Sequence, residues 1–284
     1  MGTESPKQPG TLYITATPIG NLEDITLRAL RILKEVDVIA AEDTRHTRKL
    51  LTHFEISTPL ISYYREKEQV RSVQLVERIL AGESIALVSD AGTPGISDPG
   101  AVLVSLAHKE GITVVPLPGP SALATALSVS GITDSSFLFL GFAPSKKSQR
   151  KTLLTSLTDH PHPIVFYESP RRIQGLLSDI LQIMGDRTGF WARELTKAHE
   201  DLQAGKISAL LELASGPKNR GEFVLIVHPG KIIRAEGENV EELLVWYREN
   251  TTLSVKDVSR KIASDLGLSR SAVYQNALVI YKKK

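Results

Sequence analysis

Short apolar runs alternate with amphipathic stretches over most of this chain. Leu12–Ala16 reads as a buried strand, and Ile25–Leu33 as a helix with Leu27, Leu30 and Leu33 at helical spacing. Further strands are predicted at Val36–Ala41, Leu60–Ser62, Ile85–Val88 and Thr113–Leu117, with helices at Val70–Leu80 and Ala101–Lys109. Such alternation predicts an α/β fold with a mostly parallel sheet covered on both faces. Pro118-Gly119-Pro120 breaks the pattern, and Ser121 is placed to cap a helix over Ala122–Val129. A second group follows, with strands at Phe137–Leu140, Ile164–Tyr167, Phe190–Arg193 and Phe223–Val227. Its helices are predicted at Arg150–Leu157, Arg171–Met184 and Ile207–Leu213. The loops Pro144–Gln149 and Pro217–Gly221 read as polar, mobile and partly basic.

Beyond Val227 the pattern changes. Pro229–Glu238 reads as a charged linker and the remainder as helix. Ser254 can cap a helix with Val255, Val258 and Ile262 on one face. Leu266-Gly267-Leu268 forms a turn, and Ser269 can cap a second helix with Val273, Ala277 and Ile280 inward. This is the layout of a helix-turn-helix, whose second helix would present Arg270, Ser271, Tyr274 and Gln275 to a nucleic acid. A hairpin packed on the body or on a second subunit has the same pattern. Three units are therefore expected, at 11–120, 121–230 and 239–284.

Composition narrows the chemistry. A chain of 284 residues, 42% of them hydrophobic, can bury a sizeable core. With 34 basic and 32 acidic side chains, net charge neither demands nor excludes a nucleic-acid partner. The absence of cysteine excludes disulfides, thiolate zinc sites and cysteine nucleophiles. The seven histidines are scattered without ligand spacing, so no metal site is expected. Met1–Gly10 is polar and no apolar run reaches the length of a membrane span, so a cytoplasmic protein without a membrane partner is expected.

The most informative stretch is Val88–Gly100, where the apolar run Ile85–Val88 stops in a loop dense in Gly, Pro and Asp. Ligands in open α/β sheets bind beyond the carboxyl ends of strands. The spacing of Gly95 and Gly100 mimics a P-loop, but Ala101 and Val102 stand where Lys and Ser or Thr are needed. The first strand–helix junction, Thr17-Pro18-Ile19-Gly20-Asn21, has one glycine, so no dinucleotide fingerprint is present. Neither the Asp90 loop nor the Gly119–Ser121 loop is basic. That suits a nucleoside with a neutral or cationic tail better than a phosphate. Glu42-Asp43-Thr44-Arg45-His46, Tyr167 to Arg172 and Arg193 to Lys197 also fall at predicted strand ends. The pair Arg171-Arg172 opens a helix against its dipole, which suggests an anionic partner.

Taken together these segments resemble one family. Thr17–Asn21, Ala41–Thr47, Val88–Pro94, Pro116–Ser121, Phe166–Ser169 and Arg193–Lys197 match, in order, the ribosomal RNA small subunit methyltransferase I family of the tetrapyrrole methylase superfamily. The match runs from about Leu12 to Val227 and is less clear in the C-terminal helices. It implies two α/β domains with S-adenosylmethionine in the cleft between them, and usually a homodimer. It implies methylation of the ribose 2′-hydroxyl of a cytidine in the decoding region of 16S rRNA, with naked RNA or the small ribosomal subunit as partner. By the matching motifs, Asp90, Ala91, Gly92, Thr93, Pro118, Gly119, Ser121 and Ala122 would line the cofactor, as would Tyr167, Glu168 and Ala192.

A ribose hydroxyl is a poor nucleophile, so a base or neighbouring cation is expected to help. Glu42, Asp43, Glu194 and Lys197 are the candidates. Glu194 with Lys197 suits the task best, one taking the proton and the other steadying the oxyanion. Arg45, Lys146, Lys147, Arg171, Arg172, Arg193 and Arg270 are candidates for holding RNA. Two other readings share some of these features. One is a methyltransferase acting on a small tetrapyrrole. The other is a non-catalytic, nucleotide-sensing regulator that binds nucleic acid.

Overall fold

The computed structural model describes residues 8–216, 221–230, 240–266 and 268–282. The expected loop at Pro217–Gly221, the linker at Pro229–Glu238, Gly267 of the C-terminal turn and the polar amino end lie wholly or partly outside them. Two compact units are present, 1–230 and 231–284.

The first unit begins with β1 (Thr11–Thr15), α1 (Leu27–Glu35), β2 (Val38–Ala41), α2 (Thr44–His53) and β3 (Leu60–Ser62). It continues with α3 (Glu68–Leu80), β4 (Ile85–Val88), α4 (Ala101–Lys109) and β5 (Thr113–Leu117). The five strands form one sheet in the order β3-β2-β4-β1-β5, every neighbouring pair parallel. β2 and β4 are buried along their whole length. That is why they read as continuous apolar runs rather than alternating ones. One face packs on α1 and α2 through Ala29, Ile32, Leu33, Leu50 and Leu51. The other packs on α3 and α4 through Leu75, Val76, Ile79, Leu103 and Ala107. Each such Leu or Ile contributes about 1.5–3 kcal/mol on burial. Truncating fully buried Ile79 to Ala would cost about 2–5 kcal/mol.

α2 was absent from the sequence-level pattern. Its apolar residues are confined to Leu50 and Leu51, and its start is set by Asp43, whose side chain accepts the Arg45 amide. α1 starts two residues later than expected because Thr26 caps it, accepting from Ala29 N.

The same unit continues with α5 (Ala122–Val129), β6 (Leu138–Phe142), α6 (Lys147–Ser156), β7 (Ile164–Glu168) and α7 (Ile173–Met184). Then come β8 (Thr188–Arg193), β9 (Asp201–Lys206), α8 (Ile207–Ala214) and β10 (Phe223–Val227). These strands build a second sheet, β6-β7-β10-β8-β9, in which only β6 and β7 run parallel. The expectation of a parallel sheet therefore describes the first sheet and not this one. β9 was not expected at all. Asp201-Leu202-Gln203-Ala204-Gly205-Lys206 is a polar edge strand, and its short apolar content gives no strand signal. α7 and α8 cover one face through Ile173, Leu176, Leu177, Ile180, Ile207 and Leu210. The other face carries Val165, Phe190, Ala192, Val224 and Ile226, packed with Ala126 of α5 and with Ile19.

The second unit contains α9 (Val240–Asn250), α10 (Val255–Asp265) and α11 (Arg270–Lys282). Ser254 caps α10 by accepting from Asp257 N at 3.2 Å. Val258 and Ile262 meet Val273 and Ala277 in a small core closed by Leu244 of α9. No helix among the described residues is long and apolar enough to cross a membrane.

Candidate functional site

Because the first sheet is parallel, the loops after β1, β2, β4 and β5 all leave one edge. Gly92 has φ +76°, a left-handed conformation. It pairs with Thr17 through two backbone hydrogen bonds of 2.9 Å. The Thr17 hydroxyl donates to Ser89 O at 3.0 Å. The Thr93 hydroxyl donates to Pro120 O at 3.1 Å, so the two expected ligand loops touch. Ser121 caps α5, and the Tyr167 hydroxyl accepts from Leu123 N at 3.1 Å. This last contact ties the second sheet to the first turn of α5.

These loops and the open face of the second sheet enclose a cavity of about 280 Å³. Asp90, Ala91, Gly92, Thr93, Ser121, Ala122, Tyr167, Glu168 and Ala192 line it, together with Glu42, Glu194 and Lys197. Pro118 and Gly119 do not. They are exposed and shape the turn, where a Cβ on Gly119 would lie 2.9 Å from Ala16 Cβ. Glu168 is a partial correction. Strand alternation puts it on the side of Phe166, under the helices, while Tyr167 faces the cleft. Its carboxylate is fully buried, accepts from Ser169 N at 2.8 Å and pairs with Arg172 Nε at 3.1 Å.

The charged residues of the cleft fall into two groups. Glu42 stands near Asp98 and Asp90. Burial, then repulsion from Asp98 and Asp90, pushes the Glu42 carboxyl up to about 7. Burial and Asp90 also raise Asp98. No described residue hydrogen-bonds the Glu42 carboxylate. Glu194 is the opposite case. Its Oε1 accepts from Lys197 Nζ at 2.7 Å and from Glu222 N at 3.2 Å. Burial would raise Glu194, but the Lys197 hydrogen bond and the Glu222 amide outweigh it and hold the carboxyl below its usual range. Glu194 and Thr196 both have positive φ, 51° and 65°. A Cβ on Gly221 would overlap the Glu194 carboxyl, and one on Gly20 would overlap Lys197 and Leu195. The Thr196 hydroxyl accepts from Asn21 N at 3.0 Å.

Glu194 is thus an ion-pair partner of Lys197, the pairing expected of these two, and its lowered carboxyl is a weaker proton acceptor than that of Glu42. The expectation for Asp43 is corrected. Its carboxylate caps α2 and pairs with Arg45 at 2.8 Å, which holds it far below the ordinary range, and it does not line the cavity. Its backbone amide donates to Asp90 Oδ1 at 2.9 Å, which orients that carboxylate.

Among the RNA-binding candidates, Lys146, Lys147, Arg171 and Arg270 are exposed, as is Arg45 beside its Asp43 partner. Arg172 is turned inward, to Glu168 and to the carbonyl of Ala143. Arg193 pairs with Asp201 at 3.3 Å. Ile96, Asp98, Phe142 and Glu222 also line the cavity and were not singled out in the sequence. For Asp98 a signal existed, since Ser97-Asp98 repeats Ser89-Asp90 within one Gly/Pro-rich loop.

A family model described as Tetrapyrrole (Corrin/Porphyrin) Methylases matches residues 11–211. The chain belongs to the tetrapyrrole methylase family. It is 46% identical over 270 residues to the ribosomal RNA small subunit methyltransferase I of Vibrio cholerae, covering 94% of this chain and 92% of the relative. It is 43% identical over 276 residues to the protein of the same name from Halalkalibacterium halodurans, covering 93% of each. Among solved structures, diphthine synthase superposes with TM-score 0.60 at 13% identity over 78% of this chain and 90% of that one. The uroporphyrin-III-C-methyltransferase of Thermus thermophilus does so with TM-score 0.55 at 19% identity over 77% and 94%. These two establish a shared fold. As a tetrapyrrole methylase of the small subunit methyltransferase I branch, the chain is an S-adenosylmethionine-dependent methyltransferase.

The cleft fits that cofactor. Small residues at 91, 92, 122 and 192 leave room beside the sheet edge, and the Asp90, Asp98 and Glu42 carboxylates suit a ligand bearing positive charge.

Proposed function

We propose that this protein methylates small-subunit ribosomal RNA, at the ribose 2′-hydroxyl of a cytidine in the decoding region of 16S rRNA. The observation that carries this reading is the match at 42–46% identity, over 93–95% of the chain, to curated relatives named ribosomal RNA small subunit methyltransferase I. The proposed substrate is 16S rRNA or the small ribosomal subunit, reached in the cytoplasm by a homodimer. We take 11–120 and 121–230 as the two lobes of the methylase body and 239–284 as a separate helical module.

In this reading Asp90, Ala91, Gly92, Thr93, Ser121, Ala122, Tyr167 and Ala192 hold the cofactor. Pro118 and Gly119 set the shape of its second loop, and Glu168 braces the turn behind it. S-adenosylmethionine, when bound, supplies an electrophilic methyl group on a sulfonium. Glu42 is the base that takes the ribose hydroxyl proton, because a carboxyl poised near neutrality is matched to that task. Lys197 stays an ammonium, since its Glu194 and Glu222 partners outweigh the burial that would lower it. It supports the field at the cleft wall. Asp43 and Glu194 act as positioning residues, the first for Asp90 and the second for Lys197. Lys146, Lys147, Arg171, Arg45 and Arg270 meet RNA phosphates, whereas Arg172 and Arg193 serve the protein's own architecture.

The test is incubation of the protein with methyl-labelled S-adenosylmethionine and small subunits that lack the modification. Label on a cytidine ribose of 16S rRNA is expected. Transfer to a small tetrapyrrole with none to RNA would overturn the reading.

A further inference from the structure

The lining of the cleft includes one strongly exposed aromatic side chain. Phe142 ends β6 with its ring 52% exposed, and it lines the same cavity as the cofactor loops. An exposed phenyl at a cavity mouth is costly to leave in water, and how it comes to be there is visible in the strand register. Leu138 pairs with Ile164 and Phe139 with Val165, but the next pairs are Gly141 with Phe166 and Phe142 with Tyr167. One extra residue is inserted at Leu140-Gly141. Gly141 takes φ +62°, a conformation that favours glycine.

The insertion reverses the alternation. Leu138 and Leu140 pack into the helix-covered core before the bulge, and Ala143 packs there after it. Without the bulge, Phe142 would share the face of Leu138 and Leu140. With it, Phe142 joins Phe139 and Tyr167 on the cleft face, its ring centroid 5.9 Å from that of Tyr167. Bulges beside sites commonly re-aim a side chain in this way. The strand end is also clamped, since Arg172, itself held by Glu168, donates to the Ala143 carbonyl. Ile96, also half-exposed, lines the same cavity, on a loop where the Arg65 guanidinium donates to Ser97 O at 2.6 Å. Four and five residues beyond Phe142, exposed Lys146 and Lys147 stand at the start of α6, the first as its N-cap.

We propose that Phe142, backed by Tyr167, is the platform on which the base of the acceptor nucleotide stacks, with Ile96 adding apolar surface in the same cavity and Lys146 and Lys147 holding the adjoining phosphates. An aromatic face followed by cations is the arrangement that holds an unstacked base and its backbone. The platform rests on the RNA-methylation reading and adds to it the residue that positions the acceptor. Phe142 is a positioning residue, since a phenyl ring carries no transferable proton.

The experiment measures methyl transfer to unmodified small subunits at saturating S-adenosylmethionine, with S-adenosylhomocysteine affinity measured by calorimetry on the same preparations. Phe142→Ala is expected to raise KM for the subunit about ten-fold or more, leaving S-adenosylhomocysteine affinity within two-fold. Phe142→Tyr is expected to restore KM, and Phe142→Leu, which keeps apolar bulk and controls for folding, is not. An unchanged KM in Phe142→Ala, or full rescue by Leu, would overturn the platform. So would a ten-fold loss of S-adenosylhomocysteine affinity, since the ring would then serve the cofactor. If the wild-type protein labels no subunit RNA at all, it is the functional reading that fails.

Discussion

Glu42 and Glu194 line one cleft from opposite sheets and live in opposite surroundings. Glu42 sits partly buried beside two other carboxylates. Glu194 is gripped by an ammonium at 2.7 Å and a backbone amide at 3.2 Å. Burial acts on both in the same direction, and the neighbours decide the outcome. Like charges add to desolvation at Glu42 and leave a carboxyl ready to take a proton near neutrality. A paired cation reverses desolvation at Glu194 and leaves a carboxylate that holds a loop. The strained backbone at Glu194 and Thr196 belongs with this second role, since φ values of 51° and 65° persist only where surroundings enforce them.

The contrast is broken most forcefully by exchanging the two roles. Glu42→Gln is expected to lower kcat by about 10²-fold or more, the usual scale for loss of a general base. Its KM for S-adenosylmethionine should change far less than kcat. Single-turnover methyl transfer checks this, and a variant within about three-fold of wild type would remove Glu42 from the chemistry. Gly221→Ala attacks the other side. A methyl there overlaps the Glu194 carboxyl and meets φ +85°, so a loss of about 1–3 kcal/mol is expected, read as a lower Tm by calorimetry. An undiminished Tm would mean that the clamp is not rigid.

A smaller effect separates the two glutamates by pH. The folded Glu42 carboxyl, at about 7, lies above its ordinary value of 4.5, so the folded state holds a proton that the unfolded chain releases. Its contribution to stability is full below about 4.5 and is lost as pH rises through about 7. Glu42→Gln should therefore raise Tm by a few degrees at pH 8.5 relative to wild type, and by less at pH 5. Glu194→Gln should lower Tm instead, because it removes a carboxylate whose folded value is depressed. Thermal melts at the two pH values give both signs. The smallest change is expected from Asp43→Ala, a slight fall in Tm for a lost helix cap. Methyl transfer should persist there, slowed only through Asp90.

What was legible in the sequence follows the same division. The first sheet was read nearly strand by strand, because β2 and β4 are buried on both faces and leave unbroken apolar runs. The two loops proposed to hold the cofactor stand out through their Gly, Pro and Asp content, and the contact of Thr93 with Pro120 brings them together. The inward faces of α10 and α11 were legible through helical spacing. α2 and β9 were not, since both are polar elements held by a cap and by an edge pairing. The roles at the cleft depend on partners distant in the chain. Glu194 is fixed by Gly221 and Glu222, and Glu42 is tuned by Asp90 and Asp98. Phe142 was hidden by parity, because a single inserted residue decides which face it takes.

The base is identified by the pH dependence of single-turnover methyl transfer to unmodified small subunits in wild type, Glu42→Gln and Glu194→Gln. The expected wild-type rate rises ten-fold per pH unit at low pH and levels off near 7. Glu194→Gln should keep that break, and Glu42→Gln should be slow and lack it. A break that survives in Glu42→Gln and vanishes in Glu194→Gln would contradict the assignment of the base.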